Sequence, residues 1–391
     1  MVEAAQTIGQ MLPLDGLTIL DFSQFLAGPS CALRLADLGA RVIKVERPDG
    51  GDACRGLRLA DQDFDQDSAL FHTINRNKLS YAADLKDGRA LDRVKRLVAD
   101  ADVLIHNFRP GIMERLGLGY DAVAALNPGI VYAGVSGYGP EGPWRDKPGQ
   151  DLLVQSLSGI AWMSGDGDGP PVPVGLSITD MMAGAQLAQG ILALLVRRGV
   201  TGRGGRVDVS LMETAIDLQF ENLTAWLNGA PEPKRSAVSG ANAYLGAPYG
   251  IYATADDHLA LAMMRIDTLG ELIGCAPLLA FAPETWFTER DAIKALIRDH
   301  LASQPTAHWL GILEPAGVWC AAVQDWAALT AHPGFAALDA VQAVQAPGGG
   351  AMRTTRCPIR IDGAILKSGR AAPRLGADTV TIDATLTEHR A

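Results

Sequence analysis

The stretch that sets the fold runs from Leu17 to Glu46. Leu17-Thr18-Ile19-Leu20-Asp21-Phe22 reads as a buried strand, Ala27-Gly28-Pro29 lies in the loop after it, and Ser30 to Leu38 reads as a helix stopped by Gly39. Arg41-Val42-Ile43-Lys44-Val45-Glu46 then forms a second apolar strand, closed by Arg47-Pro48. Strand, loop, helix and strand in this order begin a parallel α/β sheet. The pattern recurs with a helix over Gly88–Ala99, a strand over Asp102–His106, a turn at Arg109-Pro110-Gly111 and a strand over Ile130–Ser136. No G-x-G-x-x-G follows the first strand and no G-x-x-x-x-G-K-[ST] occurs, so neither nucleotide fingerprint supports the unit.

Beyond this core, Gly165 to Pro171 is a loop, and Asp180 precedes a long apolar helix that runs to about Arg198 and is closed by Gly199. Val207 to Leu211 reads as a strand and Glu213 to Leu227 as a helix. Five of the seven tryptophans then fall between Trp226 and Trp326, after the linker-like run Pro231 to Ser236. The expected division is a large domain over 1–229, a small domain over 230–330, and a segment 331–391 returning to the large domain through Gly348-Gly349-Gly350.

Composition narrows the function. Of 391 residues, 34 are Lys or Arg and 44 Asp or Glu, a formal charge of −10 that argues against a nucleic-acid backbone as partner. Five cysteines without a C-x-x-C pair suggest neither a disulfide framework nor a zinc ribbon, and the histidines show no metal-ligand spacing. The residues at Met1 to Ala5 carry no basic, apolar leader pattern, and the run Gly190 to Val196 falls short of a membrane span. The expectation is a cytoplasmic protein with no membrane partner and no tightly bound cofactor.

Two residue sets carry chemistry. Asp180 suits a helix N-cap, where a carboxylate accepts backbone N–H bonds, and the same position keeps it ionised as a nucleophile requires. Arg47, Arg109 and Arg115 sit at or just after strand ends, where open α/β sheets bind ligands, and a guanidinium fork matches phosphate; the ordinary alternative is three solvated arginines. Asp151, after Gln150, reads as a helix cap.

Taken in order, the motifs resemble the family III CoA-transferases, which include formyl-CoA transferase, carnitine CoA-transferase and α-methylacyl-CoA racemases. The likeness is carried by Leu14 to Phe22, Ala27-Gly28-Pro29, Leu35 to Glu46, Asn75 to Lys78, Asp84-Leu85-Lys86, Asn107-Phe108-Arg109-Pro110-Gly111, Leu126-Asn127-Pro128 and Ser136-Gly137-Tyr138-Gly139. It continues through Asp180 to Gly184, Thr201 to Gly204, Ala316-Gly317-Val318 and Pro373-Arg374-Leu375-Gly376. The resemblance implies a Rossmann-like large domain with a parallel sheet, a smaller α+β domain, and two chains interlocked as a homodimer.

It also implies roles. Asp180 would be the nucleophile, and coenzyme A thioesters and small carboxylic acids would be the substrates. Leu26, Ala27, Arg47, Ala83, Asp84, Leu85, Lys86, Asn107, Phe108, Arg109 and Arg115 would contact CoA. Gln150, Asp151 and Gly246 would lie in loops facing the acyl group, with backbone donors for a tetrahedral oxyanion near Gly246. Gln150 stands where the racemase branch has a histidine acid/base, which disfavours the alternative activity, racemisation or isomerisation at the α-carbon. Leu26 stands where formyl-CoA transferase has a glutamine, and Gly246 alone replaces its tetraglycine loop, which favours a bulkier or less polar acyl group.

Overall fold

The computed structural model describes residues 11–388. The chain divides into two compact units. The first takes the chain up to Asp151, Ser177–Thr214 and the chain from Leu338; the second takes Leu152–Leu176 and Ala215–Ala337. The breaks at 214/215 and 337/338 differ from the expected 229/230 and 330/331, and the segment 152–176 joins the second unit.

The first unit is built on six strands: β1 (Thr18–Asp21), β2 (Arg41–Glu46), β3 (Leu79–Ala82), β4 (Val103–His106), β5 (Val131–Ser136) and β6 (Gly205–Ser210). All neighbours pair in parallel, in the order β3-β2-β1-β4-β5-β6. That is the strand order of doubly wound dinucleotide-binding sheets, reversing between β1 and β4. The register sets Leu20 beside Ile43 and Leu104, and Tyr132 beside Leu104. These residues bury one face of the sheet with Phe22, Tyr81, Val94, Leu97 and Ile382. Strands apolar on both faces are what a parallel sheet covered by helices requires.

Helix α1 (Ala27–Asp37) follows β1, and α2 (Gly88–Asp100) is capped by the Asp87 side chain. Helix α3 (Asp151–Ser158) begins at the residue that closes the unit's first segment. The 24-residue helix α4 (Ile178–Thr201) lies against α1, with Gly184 at a close approach. A methyl group on Gly184 would sit 2.6 Å from the Ala27 carbonyl oxygen, so only glycine fits. Further along α4, Gly190 leaves room in the same way for the Val207 side chain of β6. Among the described residues α4 is the one helix long and apolar enough to cross a membrane by length and composition alone.

Three local expectations need correction. β3 was not anticipated, because Leu79-Ser80-Tyr81-Ala82 is too short and mixed to declare itself. The helix expected over Glu213–Leu227 is two helices, Leu211–Asp217 and Phe220–Leu227. The α4 helix starts ahead of Asp180 and extends past Arg198, with Gly202 rather than Gly199 in the left-handed C-cap conformation.

In the second unit a three-stranded antiparallel sheet of Gly250–Ala253, His258–Leu261 and Cys320–Ala322 packs with helices around Tyr252, Leu259, Leu269 and Trp309. Ile293 and Ile297 of α5 (Arg290–Leu301) complete that core.

Candidate active site

Most of the residues marked out in the sequence converge on one edge of the six-stranded sheet. Parallel strands end at the same side, so the loops after β3, β2, β1 and β4 lie next to one another. They carry Ala83 to Lys86, Arg47, Leu26 and Asn107 to Arg109 respectively, and Ala27-Gly28-Pro29, expected as loop, form the first turn of α1. With strands about 4.8 Å apart, the loops after β2 and β4 are separated by roughly 10 Å across β1. Ala83 is buried, Leu85 and Phe108 pack against the core, and Lys86 is exposed. Phe108 is thus in part a core residue.

Arg47, Arg109 and Arg115 are exposed, and among the described residues none of them is paired with a carboxylate. Nε of Arg47 donates to the Gly51 carbonyl at 2.9 Å, which fixes the arm and leaves the rest of the guanidinium open. Gly111 adopts φ +81°, and a methyl group there would lie 3.2 Å from Nη1 of Arg115. The glycine therefore lets the Arg115 head fold back over the turn that carries Arg109. Unpaired guanidinium groups on loops at a strand-end edge are suited to an anionic ligand.

Asp180 lies in the first turn of α4, third in the helix, with Ser177 at the cap position; the cap reading is corrected. The cap work is done by Asp151. Its Oδ1 accepts from the Thr179 N–H at 2.8 Å, from the Thr179 hydroxyl at 2.5 Å and from the Asp180 N–H at 3.3 Å. Asp151 is only 8% exposed and so caps a helix distant in sequence rather than the one it begins.

No described residue donates a hydrogen bond to the Asp180 carboxylate. Burial, reinforced by the negative charge of Asp151, pushes its carboxyl up to about 6. At neutral pH it is still mostly ionised, but poorly solvated and unpartnered. A carboxylate nucleophile has use for those properties. Gly184 lies one turn further along the same face of α4 and touches Ala27, so Asp180 lies on the face of α4 that meets α1.

The Asn107 side chain grips the backbone of Gln24. Its Oδ1 accepts from the Gln24 N–H at 2.9 Å and its Nδ2 donates to the Gln24 carbonyl at 2.7 Å. Gln150 is exposed. Gly246 belongs to the second unit, where a methyl group on it would meet the Trp286 carbonyl at 3.1 Å. The chain around it is braced from α5: Arg290 donates to the Lys234 and Ala243 carbonyls, and Lys294 to that of Ser239 at 3.2 Å.

Sequence reasoning missed the supports beneath the edge. Lys44 and Lys78 are fully buried beside Asp21, Asp52 and Glu46. The one available signal was a lysine inside the otherwise apolar strand Arg41–Glu46.

The model of CoA-transferase family III matches residues 14–379. The chain belongs to CoA-transferase family III. Among curated members it is 37% identical to the acetyl-CoA:oxalate CoA-transferase of Acetobacter aceti, over 78% of this chain and 79% of that one. It is 31% identical to the succinate–glutarate CoA-transferase of Agrobacterium fabrum, over 96% and 98% of the two chains. The crystal structure of a CAIB/BAIF family protein from Brucella suis superposes with a TM-score of 0.81 at 30% identity, covering 96% of this chain and all of the other. As in that family, the fold is α/β on a central parallel sheet, and the enzyme class is a CoA-transferase.

Proposed function

We propose that this family III CoA-transferase moves CoA from an acyl-CoA donor to a small carboxylic acid through covalent intermediates on Asp180. The observation that carries this is the Asp180 carboxylate itself: first turn of α4, half-buried, with no described hydrogen-bond donor, one turn from the Gly184 contact with the start of α1. An Asp180 oxygen attacks the thioester carbonyl, the C–S bond breaks, and CoA leaves as thiolate from a mixed anhydride. The thiolate attacks the Asp180 carbonyl carbon, expelling the first carboxylate and leaving an aspartyl-CoA thioester. The acceptor carboxylate attacks that thioester and releases thiolate again. Thiolate attack on the acceptor acyl carbon then forms the new acyl-CoA and regenerates Asp180. Electron pairs balance at every step and no proton is transferred, so the scheme needs no general base.

Arg47, Arg109 and Arg115 are assigned to the CoA phosphates, and Ala83 to Lys86 to the adenine end. The open first-turn N–H groups of α1, at Ala27 and Gly28, suit the oxyanion of each tetrahedral intermediate. Leu26 and Gln150 are assigned to the acyl side, with Asp151 holding the α4 terminus. The relatives named for acetyl, oxalate, succinate and glutarate exchange support a small carboxylic acid as acceptor. Exposed apolar residues, Met181, Met182, Val196 and Val200 on α4 among them, favour a homodimer. Light scattering should give twice the chain mass.

Incubation with acyl-CoA followed by hydroxylamine and mass spectrometry should place the hydroxamate on Asp180. Full activity in Asp180→Ala would overturn the assignment. Exchange of the α-hydrogen into deuterated water without an acceptor acid would turn the reading to racemisation.

A further inference from the structure

The loop from Ser23 to Leu26 crosses the place where the strand order reverses, between β1 and β4. In open α/β sheets that is where a ligand crevice opens. Here it is bridged. Asn107, just after β4, holds both backbone groups of Gln24, accepting from its N–H and donating to its carbonyl.

The flanking residues are tied from β1 and from the β2 side. The Lys44 ammonium donates to the Ser23 carbonyl at 2.8 Å, and the Asp21 carboxylate accepts from the Ser23 N–H and hydroxyl. Asp52 Oδ1 accepts from the Phe25 N–H at 3.3 Å, and its other oxygen pairs with Lys44 at 2.8 Å. Lys44, Asp21 and Asp52 are buried, so three successive residues, Ser23 to Phe25, are fixed by the four side chains of Asp21, Lys44, Asp52 and Asn107.

What this bracing holds is unusual. Phe25 has φ +64°, in the left-handed region that an aromatic residue seldom occupies, and 51% of it is exposed. Such a conformation persists only where the surroundings over-determine it, and it concentrates at functional sites. An exposed ring held in this way is no core residue. Two residues later, Ala27 touches Gly184, one turn from Asp180 on the same face of α4.

We propose that Phe25 is a specificity-determining wall of the acyl site, and that Asn107 is the positioning residue that holds it there by clamping Gln24. The ring limits the bulk of the acyl group brought to Asp180, and the clamp prevents it from swinging aside. The inference rests on the reading of Asp180 as the site of acyl transfer.

The test compares acetyl-CoA with hexanoyl-CoA, each with succinate, in wild type, Phe25→Gly, Asn107→Ala and the double variant. Glycine accepts the left-handed conformation freely, so Phe25→Gly should fold with its melting temperature unchanged. It should raise the hexanoyl-to-acetyl ratio of kcat/KM at least fivefold. Asn107→Ala should move the ratio in the same direction, and the double variant no further than Phe25→Gly. An unchanged ratio in Phe25→Gly, or additive effects of the two substitutions, overturns the proposal. If Asn107→Ala fails to fold, the Phe25→Gly ratio still decides. Turnover in the wild type with no hydroxamate on Asp180 would instead overturn the covalent reading, since the ratio is read from turnover alone.

Discussion

Two carboxylates at one helix end have opposite duties at the residue scale. Asp151 accepts from Thr179 twice and from Asp180, whereas no described residue donates to the Asp180 carboxylate. Burial first, and the charge of Asp151 second, raise the Asp180 carboxyl to about 6. Transfer should therefore fall as pH drops through about 6, with an acid limb in kcat/KM of that apparent value. In Asp151→Asn the remaining amide oxygen can still accept from Thr179, but the like charge is gone. The acid limb should then move to lower pH by a few tenths of a unit or more, read from the same profile. The stability consequence has the opposite sense to that of a paired carboxylate. A folded value above the unfolded one favours the fold at low pH and opposes it once the group ionises, above about 6. Asp180→Asn should thus be more stable than the wild type at pH 8, by up to about 3 kcal/mol. The gain should fade below about pH 4; thermal melts of the two proteins across that range check it.

At the scale of the element, α4 presents its first turn by packing on α1 through glycine. Gly184→Ala would drive a methyl group into the Ala27 carbonyl and the Ser30 hydroxyl. The two helices must then separate at the turn that positions Asp180. The expected result is a loss of about 1–3 kcal/mol of stability, with a drop in kcat larger than the rise in KM. Gly199→Ala, on the same helix with open space around it, is the control and should leave kcat unchanged and stability equal or higher by up to about 1 kcal/mol. The sequence was legible in the same uneven way. The apolar runs of β1, β2, β4 and β5 and the ordered motifs gave the parallel sheet and the edge to which Arg47, Arg109 and Arg115 belong. Nothing local revealed β3, whose burial is a property of the assembled sheet. Nor did anything reveal that Asp151 caps a helix 27 residues later in the chain, a contact between segments distant in sequence. Phe25 gave no sign of its left-handed backbone, because that conformation is imposed by Asn107, Lys44 and Asp52 and not by its own preference.

For the whole molecule, the strand-end edge stands on a buried lattice of charge that joins β1, β2 and the turn before β3. Lys78 donates to Asp21 at 2.9 Å, to the Pro29 carbonyl and to Asn75, with both members of the ion pair fully buried. Glu46 receives two 2.8 Å hydrogen bonds from Arg55. Burial alone would raise the Asp21 carboxyl, but Lys78 and Lys44 outweigh it and hold it below the usual carboxylate range. Lys78 itself is pushed down, because its own burial and the nearby Lys44 ammonium outweigh the attraction of Asp21. Buried pairs of this kind add little over an apolar core but are expensive to break, since the survivor is left charged without a partner. Lys78→Met should therefore cost about 3–5 kcal/mol. In a unit of this size that corresponds to a fall in melting temperature of roughly 10 °C. Asp21→Asn in the same chain should recover part of the loss, because it removes the stranded charge. That non-additivity is the signature of a shared buried pair. The surface pair Arg58–Asp63, with both side chains largely exposed, is the contrast: Arg58→Ala should change stability by less than about 1 kcal/mol. Salt separates the two further. Raising NaCl to 0.5 M should leave the Lys78→Met deficit intact, since counterions do not enter the lattice, while weakening the CoA binding proposed for Arg47, Arg109 and Arg115. A Lys78→Met protein that melts with the wild type would show that the lattice is not what holds the edge in place.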